Sequence, residues 1–173
     1  MSSARRALET LHKHCSGLVH LDLSSAIAYD TQGKPAFELE EVVALLGGGQ
    51  EAGKRLRTLN LYGWGGQHLT GDVAGFMPLE NLQTLDLTDC NGLTGDVQSF
   101  ASLSQLESLS LFACVGLTGD VMGFSSLGEL RFLTLSRCSA LCGDAKALSS
   151  SLRKLQSLLT YDCTGLSKRC EDC

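Results

Sequence analysis

The sequence predicts an α/β solenoid, a right-handed coil with a parallel sheet on its concave side and short outer helices or 3-10 turns. Three observations carry that prediction. The first is a repeat. Leu82, Leu85, Leu87, Cys90, Leu93-Thr94-Gly95-Asp96-Val97, Phe100 and Leu103 return as Leu106, Leu109, Leu111, Cys114, Leu117-Thr118-Gly119-Asp120-Val121, Phe124 and Leu127, each 24 positions on and without a gap. One such unit cannot bury its apolar face alone and must stack on copies of itself. The second is the alternation within each LxxLxL segment, which is that of a strand with its leucines on one face. The third is a cysteine column. Cys90, Cys114 and Cys138 recur at 24 and Cys163 follows at 25, so equivalent thiols stack turn upon turn. There a small, weakly polar thiol packs inward and can donate to a backbone carbonyl, so these four are expected to be reduced core residues.

Along the chain, residues 1–17 read as an N-terminal capping segment. A helix over 3–15 would place Ala4, Ala7, Leu8, Leu11 and Cys15 on one face, with Gly17 as its stop. His12 and His14, two positions apart, face different sides of that helix and do not suggest a shared metal. Residues 18–166 form the solenoid of about six turns. The first turn is irregular, taking 38 residues from Leu18 to Leu56. Its excess holds a turn-rich loop over 29–35 and then Phe37, Leu39, Val42, Val43 and Leu46, which suggest a helix. Glu38, Glu40 and Glu41 sit near its start, where the macrodipole favours them, and Gly47-Gly48-Gly49 ends it. The second turn, from Leu56 to Leu82, has 26 residues. Trp64 stands in it where the cysteine stands elsewhere, and the sequence leaves open whether Trp64 plugs the core or faces out. The fifth turn weakens to Leu141-Cys142-Gly143-Asp144-Ala145 with Leu148 for phenylalanine. A sixth begins at Leu155, Leu158, Cys163 and Leu166 and does not complete, leaving a cysteine-containing tail over 167–173.

These residues resemble the leucine-rich-repeat family over about 18–166. The LTGDV segments look like a variant of the LxGxI segment of plant-type repeats, and cysteine where asparagine is usual resembles the intracellular cysteine-containing repeats. The combination is similar to repeat proteins of algae and other protists. The resemblance implies a horseshoe-shaped leucine-rich-repeat solenoid whose usual work is binding another protein. The kinase, span and leader of plant receptors have no counterpart here, and no F-box segment is recognisable.

Composition narrows the function classes. The net charge of −5, with acids and bases mixed, suggests neither a nucleic-acid nor an anionic-membrane partner. The longest aliphatic stretch, Val42 to Leu46, is far short of the roughly 20 residues a membrane span needs. The N-terminus has no apolar leader pattern. The expectation is a soluble intracellular protein, cytoplasmic in the first instance.

Between the strand leucines, alternate side chains face the concave side. Three columns result. One reads His20, Thr58, Thr84, Ser108, Phe132, Ser157. The next reads Asp22, Asn60, Asp86, Ser110, Thr134, Leu159. The third, past the last strand leucine, reads Ser24, Tyr62, Thr88, Phe112, Ser136, Tyr161. Its aromatics occupy every second strand, roughly 10 Å apart. Exposed aromatics among small polar residues suit an interaction surface. The expected partner-binding residues are Tyr62, Asp86, Thr88, Phe112, Phe132, Arg137 and Tyr161.

Four other patterns bear on chemistry. Asp72, Asp96, Asp120 and Asp144 form an outer column. A carboxylate row can bind calcium, but each Asp follows a glycine and precedes a short apolar turn, so the stronger reading is a helix N-cap, with the neighbouring threonine satisfying backbone groups. Gly48 to Arg55 resembles a phosphate-binding loop, yet Arg55 replaces the hydroxyl that would hold magnesium and the segment would follow a helix and open a strand, the wrong order. Cys170-x-x-Cys173 suggests a redox pair or half a zinc site, with Cys142 and Cys163 as further thiolates if the tail folds back; a lone CxxC is weak evidence. His20 near Asp22 has no nucleophile beside it, which makes no enzyme. The reading is a non-catalytic protein–protein interaction module without cofactor or metal, a small scaffold or a subunit of a larger assembly. Its open C-terminal end is a second place for assembly. The alternatives are a thiol-redox or zinc-binding protein and a fragment of a longer repeat protein.

Overall fold

The structure, a computed structural model, describes residues 10, 17–24, 37–46, 54–65 and 68–166. The expected helix over 3–15, the loop over 29–35, the triple glycine, the phosphate-loop look-alike up to Gly53 and the tail over 167–173 lie wholly or almost wholly outside them.

The five LxxLxL segments and the Leu155-x-x-Leu158 segment of the last turn become the six strands of one parallel sheet. They are β1 (His20–Asp22), β3 (Thr58–Asn60), β5 (Thr84–Asp86), β7 (Ser108–Ser110), β9 (Phe132–Thr134) and β11 (Ser157–Leu159), adjacent in that order. Leu21, Leu59, Leu85, Leu109, Leu133 and Leu158 align across it. This register keeps these six leucines on the core side, since a slip of one residue would turn the whole apolar set to solvent.

A second parallel sheet was not expected. It is built from β2 (Phe37–Glu38), β4 (Leu69–Asp72), β6 (Leu93–Asp96), β8 (Leu117–Asp120) and β10 (Leu141–Cys142), ordered β10-β8-β6-β4-β2. The LTGD segments are therefore strands before they are caps. Each pairs with the next turn two residues out of step, Gly95 opposite Leu117 and Asp96 opposite Thr118. Thr94 Oγ1 donates to Gly71 O and Thr118 Oγ1 to Gly95 O, both at 3.3 Å, the backbone service expected of these threonines. Phe37 and Glu38 belong to this sheet, so helix α1 starts later than the apolar spacing suggested, at Leu39–Leu45, with Glu40 and Glu41 in its first turn. Pairing of Phe37 with Leu69 and of Glu38 with Thr70 holds the two residues extended.

After the second-sheet strands come 3-10 helices η1 (Val73–Phe76), η2 (Val97–Ser102) and η3 (Val121–Ser126), and then α2 (Ala145–Ser151). The aspartate column caps them. Asp72, Asp96 and Asp120 accept from the backbone N of Ala74, Gln98 and Met122, and Asp144 accepts from both Lys146 and Ala147. Such caps typically contribute about 1 kcal/mol each.

The core lies between the two sheets and the outer helices. Phe76, Phe100 and Phe124 stack along the solenoid axis at 6.3 and 6.2 Å between ring centres. The ninth position of each turn does one job throughout: it donates to the carbonyl of the sixth position one turn earlier. Cys90 Sγ reaches Leu61 O at 3.1 Å, Cys114 Leu87 O at 3.0 Å, Cys138 Leu111 O at 2.9 Å and Cys163 Leu135 O at 2.8 Å. Trp64 does the same through Nε1, to Leu23 O at 2.7 Å, and is buried against Phe37. This decides what the sequence left open: Trp64 points inward because a buried carbonyl needs a donor there.

Cys90, Cys114, Cys138 and Cys163 are free, as the column implied. Burial pushes the Cys90 and Cys138 thiols from the ordinary value near 9.0 up to about 12, and raises Cys114 likewise. Thiolate, the reactive form, is therefore suppressed in the native state. A water-soluble thiol reagent at mildly alkaline pH is expected to leave these three unmodified until denaturant unfolds the chain; rapid labelling under native conditions would contradict the buried column. Because the native thiols hold their protons where unfolded ones lose them, stability should fall as pH rises from 9 towards 12. Cys142 is different: it is disulfide-bonded and offers no thiolate to a zinc site. The sixth turn is the least buried, with Leu155, Leu158, Cys163 and Leu166 only partly covered.

Candidate functional site: the concave face

Of the sequence-selected residues, Asp86 and Phe132 lie in strands of the first sheet, and Tyr62, Thr88, Phe112, Arg137 and Tyr161 follow strand ends. Two of them serve the fold. Asp86 Oδ1 accepts from Thr88 N at 2.9 Å, and Thr88 Oγ1 shares a 2.7 Å hydrogen bond with Ser110 Oγ of the next strand. Asp22 and Asn60 make the same turn, accepting from Ser24 N and Tyr62 N. Hydrogen bonding from the Ser24 side chain, and then from its backbone N, holds the Asp22 carboxyl below its ordinary pKa. Tyr62 is 48% exposed and stands apart from the other aromatics.

The remaining four gather at the C-terminal half. The rings of Phe112 and Tyr161 do not stay a two-strand distance apart; their centres are 6.1 Å from each other at 59°. The Arg137 guanidinium lies 5.4 Å from the centre of the Phe112 ring, and Arg137 Nε is 3.6 Å from Asp162 Oδ2. Arg137 occupies the left-handed position that ends each strand, at φ 63°, as do Asp89, Ala113 and Asp162 at 62°, 59° and 59°. That turn carries its side chain alongside the aromatic column.

Phe112 is consequently half-buried rather than open, which corrects the expectation that it projects freely. Ser136, expected in the same open column, is wholly buried, and its Oγ has no partner among the described residues. The reason lies one strand on. Thr88 finds Ser110 there, but the equivalent neighbour of Ser136 is Leu159, which has no hydroxyl. Phe112 and Tyr161, in the strand-exit positions on either side of Ser136, close towards each other.

Leu159 is the residue that site selection missed. It is 46% exposed, beside Phe132 at 48% and Tyr161 at 54%. Phe132 pairs with Ser157 and Leu159 with Thr134, so Phe132 and Leu159 are diagonal neighbours within side-chain reach. The signal was present in its column, where Asp22, Asn60 and Asp86 give way to an apolar side chain. Phe112, Phe132, Leu159 and Tyr161, with the Arg137 guanidinium, thus form one apolar patch over the last three strands.

Charge is divided along the same axis. At the C-terminal half Arg131 is 3.4 Å from Glu107 and Arg137 meets Asp162. At the N-terminal half lie Asp22, Asp86 and Asp89. His20 Nδ1 is 2.8 Å from Thr58 Oγ1, with no nucleophile placed beside it. Among the described residues no group of three or more His, Cys, Asp or Glu is placed to hold a metal ion, and no helix is long and apolar enough to cross a membrane.

No family model matches the chain, and no curated protein matches it. Solved structures do. A plant peptide hormone receptor, RGFR1, in complex with RGF2, superposes with a TM-score of 0.55 at 24% identity, over 73% of this chain and 21% of the receptor. The chain thus spans about a fifth of that receptor's length. An internalin C2 from Listeria monocytogenes superposes with a TM-score of 0.52 at 18% identity, over 92% of this chain and 74% of the internalin. Taken with the 24-residue unit and the two stacked parallel sheets, these likenesses show that the chain has the leucine-rich-repeat fold.

Proposed function

We propose that this chain is a non-catalytic binding module that receives a protein partner on the C-terminal half of its concave face. The observation that carries the reading is the patch of Phe112, Phe132, Leu159 and Tyr161 with Arg137 laid over Phe112. Aromatics and arginine are the residues enriched where binding energy concentrates, and clustered apolar exposure is what distinguishes such a surface from scattered single residues. Asp86 and Thr88 shape the strand exits beside it, and Tyr62 is an outlying contact. The plant receptor with a similar fold is itself described in complex with a ligand, RGF2, which agrees with this use of the fold.

The test is affinity capture from source extract with the wild-type chain and with a Phe132→Ala, Leu159→Ala, Tyr161→Ala variant of unchanged circular dichroism. A partner recovered only by wild type, with Phe132→Ala alone weakening its isotherm by more than about 1 kcal/mol, is the expected result. A partner retained equally by both proteins would move the interface to the outer face or to the solenoid's end.

A further inference from the structure

We infer that the partner presents to this face an extended polypeptide stretch with a large apolar side chain and a basic side chain three or four residues apart. This rests on the proposed concave-face binding and adds the chemistry of what is bound.

The apolar half of the requirement follows from Phe132, Leu159 and Tyr161, each about half exposed on the last two strands. The basic half follows from where charge is matched and where it is not. At the C-terminal end three cations have acids: Arg131 with Glu107, Arg137 with Asp162, Lys154 with Glu129. Further along the sheet Asp22, Asp86 and Asp89 are carboxylates with no lysine or arginine in ion-pair range among the described residues. Arg57, which precedes β3, donates to Asn81 O at 3.0 Å. His20 is held by Thr58. Asp86 commits Oδ1 to Thr88 N and keeps a second oxygen to accept from a ligand. Asp89 sits at the left-handed turn just beyond, its backbone N bound to Phe112 O.

Spacing joins the two halves. Asp86 lies on β5, Phe132 on β9 and Leu159 on β11. Strands stack about 4.8 Å apart, so the carboxylate is roughly 10 Å from the first apolar anchor and roughly 14 Å from the second. An extended chain advances about 3.4 Å per residue, so it covers those distances in three or four residues. An acidic partner, or the phosphates of a nucleic acid, would meet like charge at Asp86 and Asp89 and lose the approach that a basic side chain gains.

The full chain would be immobilised and used to select from a display library of random peptides roughly twelve residues long, the length of chain needed to cross the six strands with a few residues to spare. The enriched sequences are expected to pair a large apolar residue with Lys or Arg three or four positions away. A synthetic peptide of that sequence should bind an Asp86→Asn/Asp89→Asn variant at least tenfold more weakly in about 50 mM salt, where surface charges are little screened. Asparagine keeps the acceptor that the turn needs, as Asn60 shows at the equivalent position of β3. The same peptide should also lose at least tenfold on Phe132→Ala/Leu159→Ala. Apolar-only enrichment, or affinity unchanged by the asparagine variant, overturns the basic requirement while leaving the concave face as the binding site. Binding indifferent to Phe132 and Leu159 overturns both. Failure to enrich any peptide overturns the extended-segment partner.

Discussion

Phe100→Ala is expected to destabilise the chain by about 3–5 kcal/mol, the range for removing a fully buried phenylalanine ring. Phe100 has no solvent exposure and stacks on two like rings, Phe76 at 6.3 Å and Phe124 at 6.2 Å. A solenoid is held by contacts between neighbouring turns, so removing the middle ring weakens two interfaces at once. The site cannot refill easily, because the neighbouring turns are tied by paired strands on both sheets. Phe124→Ala should cost less than Phe100→Ala, since the next turn offers Leu148 instead of a fourth ring. Urea unfolding followed by circular dichroism checks both, and equal losses would show that the aromatic stack carries no energy beyond burial.

Gly119→Ala is the second large effect, about 2–4 kcal/mol. Gly119 has φ 104°, which an L side chain rarely adopts, and its missing Cβ is the space taken by Asp96 Oδ1. Strain of that backbone class costs about 1–3 kcal/mol. Asp96 cannot simply step aside, because that oxygen caps η2 through Gln98 N at 2.8 Å; losing a cap adds about 1 kcal/mol. The glycine and the aspartate one turn earlier are therefore a single fitting. Gly95 meets Asp72 and Gly143 meets Asp120 in the same way. The control is Gly128→Ala, where a Cβ would meet nothing within 4 Å and thermal unfolding should barely move. If Gly119→Ala and Gly128→Ala shifted the midpoint equally, the fitting would have no energetic meaning.

Much of this architecture was legible in one dimension because each turn repeats the same local demands. LxxLxL alternation placed the concave strands, and the 24-residue interval placed the cysteines turn on turn. The Gly-Asp pair before an apolar turn identified the caps, and the hydrogen bonds of Asp72, Asp96, Asp120 and Asp144 bear that out. These features depend on residues a few positions apart or on identical residues one turn apart, and a sequence carries both kinds of information.

What remained hidden arises between unlike neighbours. The second sheet forms only when LTGD segments of adjacent turns come into hydrogen-bonding range, and nothing within one segment distinguishes that from a plain turn. Trp64 faces inward because Leu23 O, 41 residues away, needs a donor. Ser136 is buried, and Phe112 half-buried, because Leu159 replaces a hydroxyl, Tyr161 leans over and Arg137 covers the ring. Repetition let the chain announce its coil; side-chain packing across adjacent turns, where the repeat departs from its own pattern, shaped the face that we propose binds a partner.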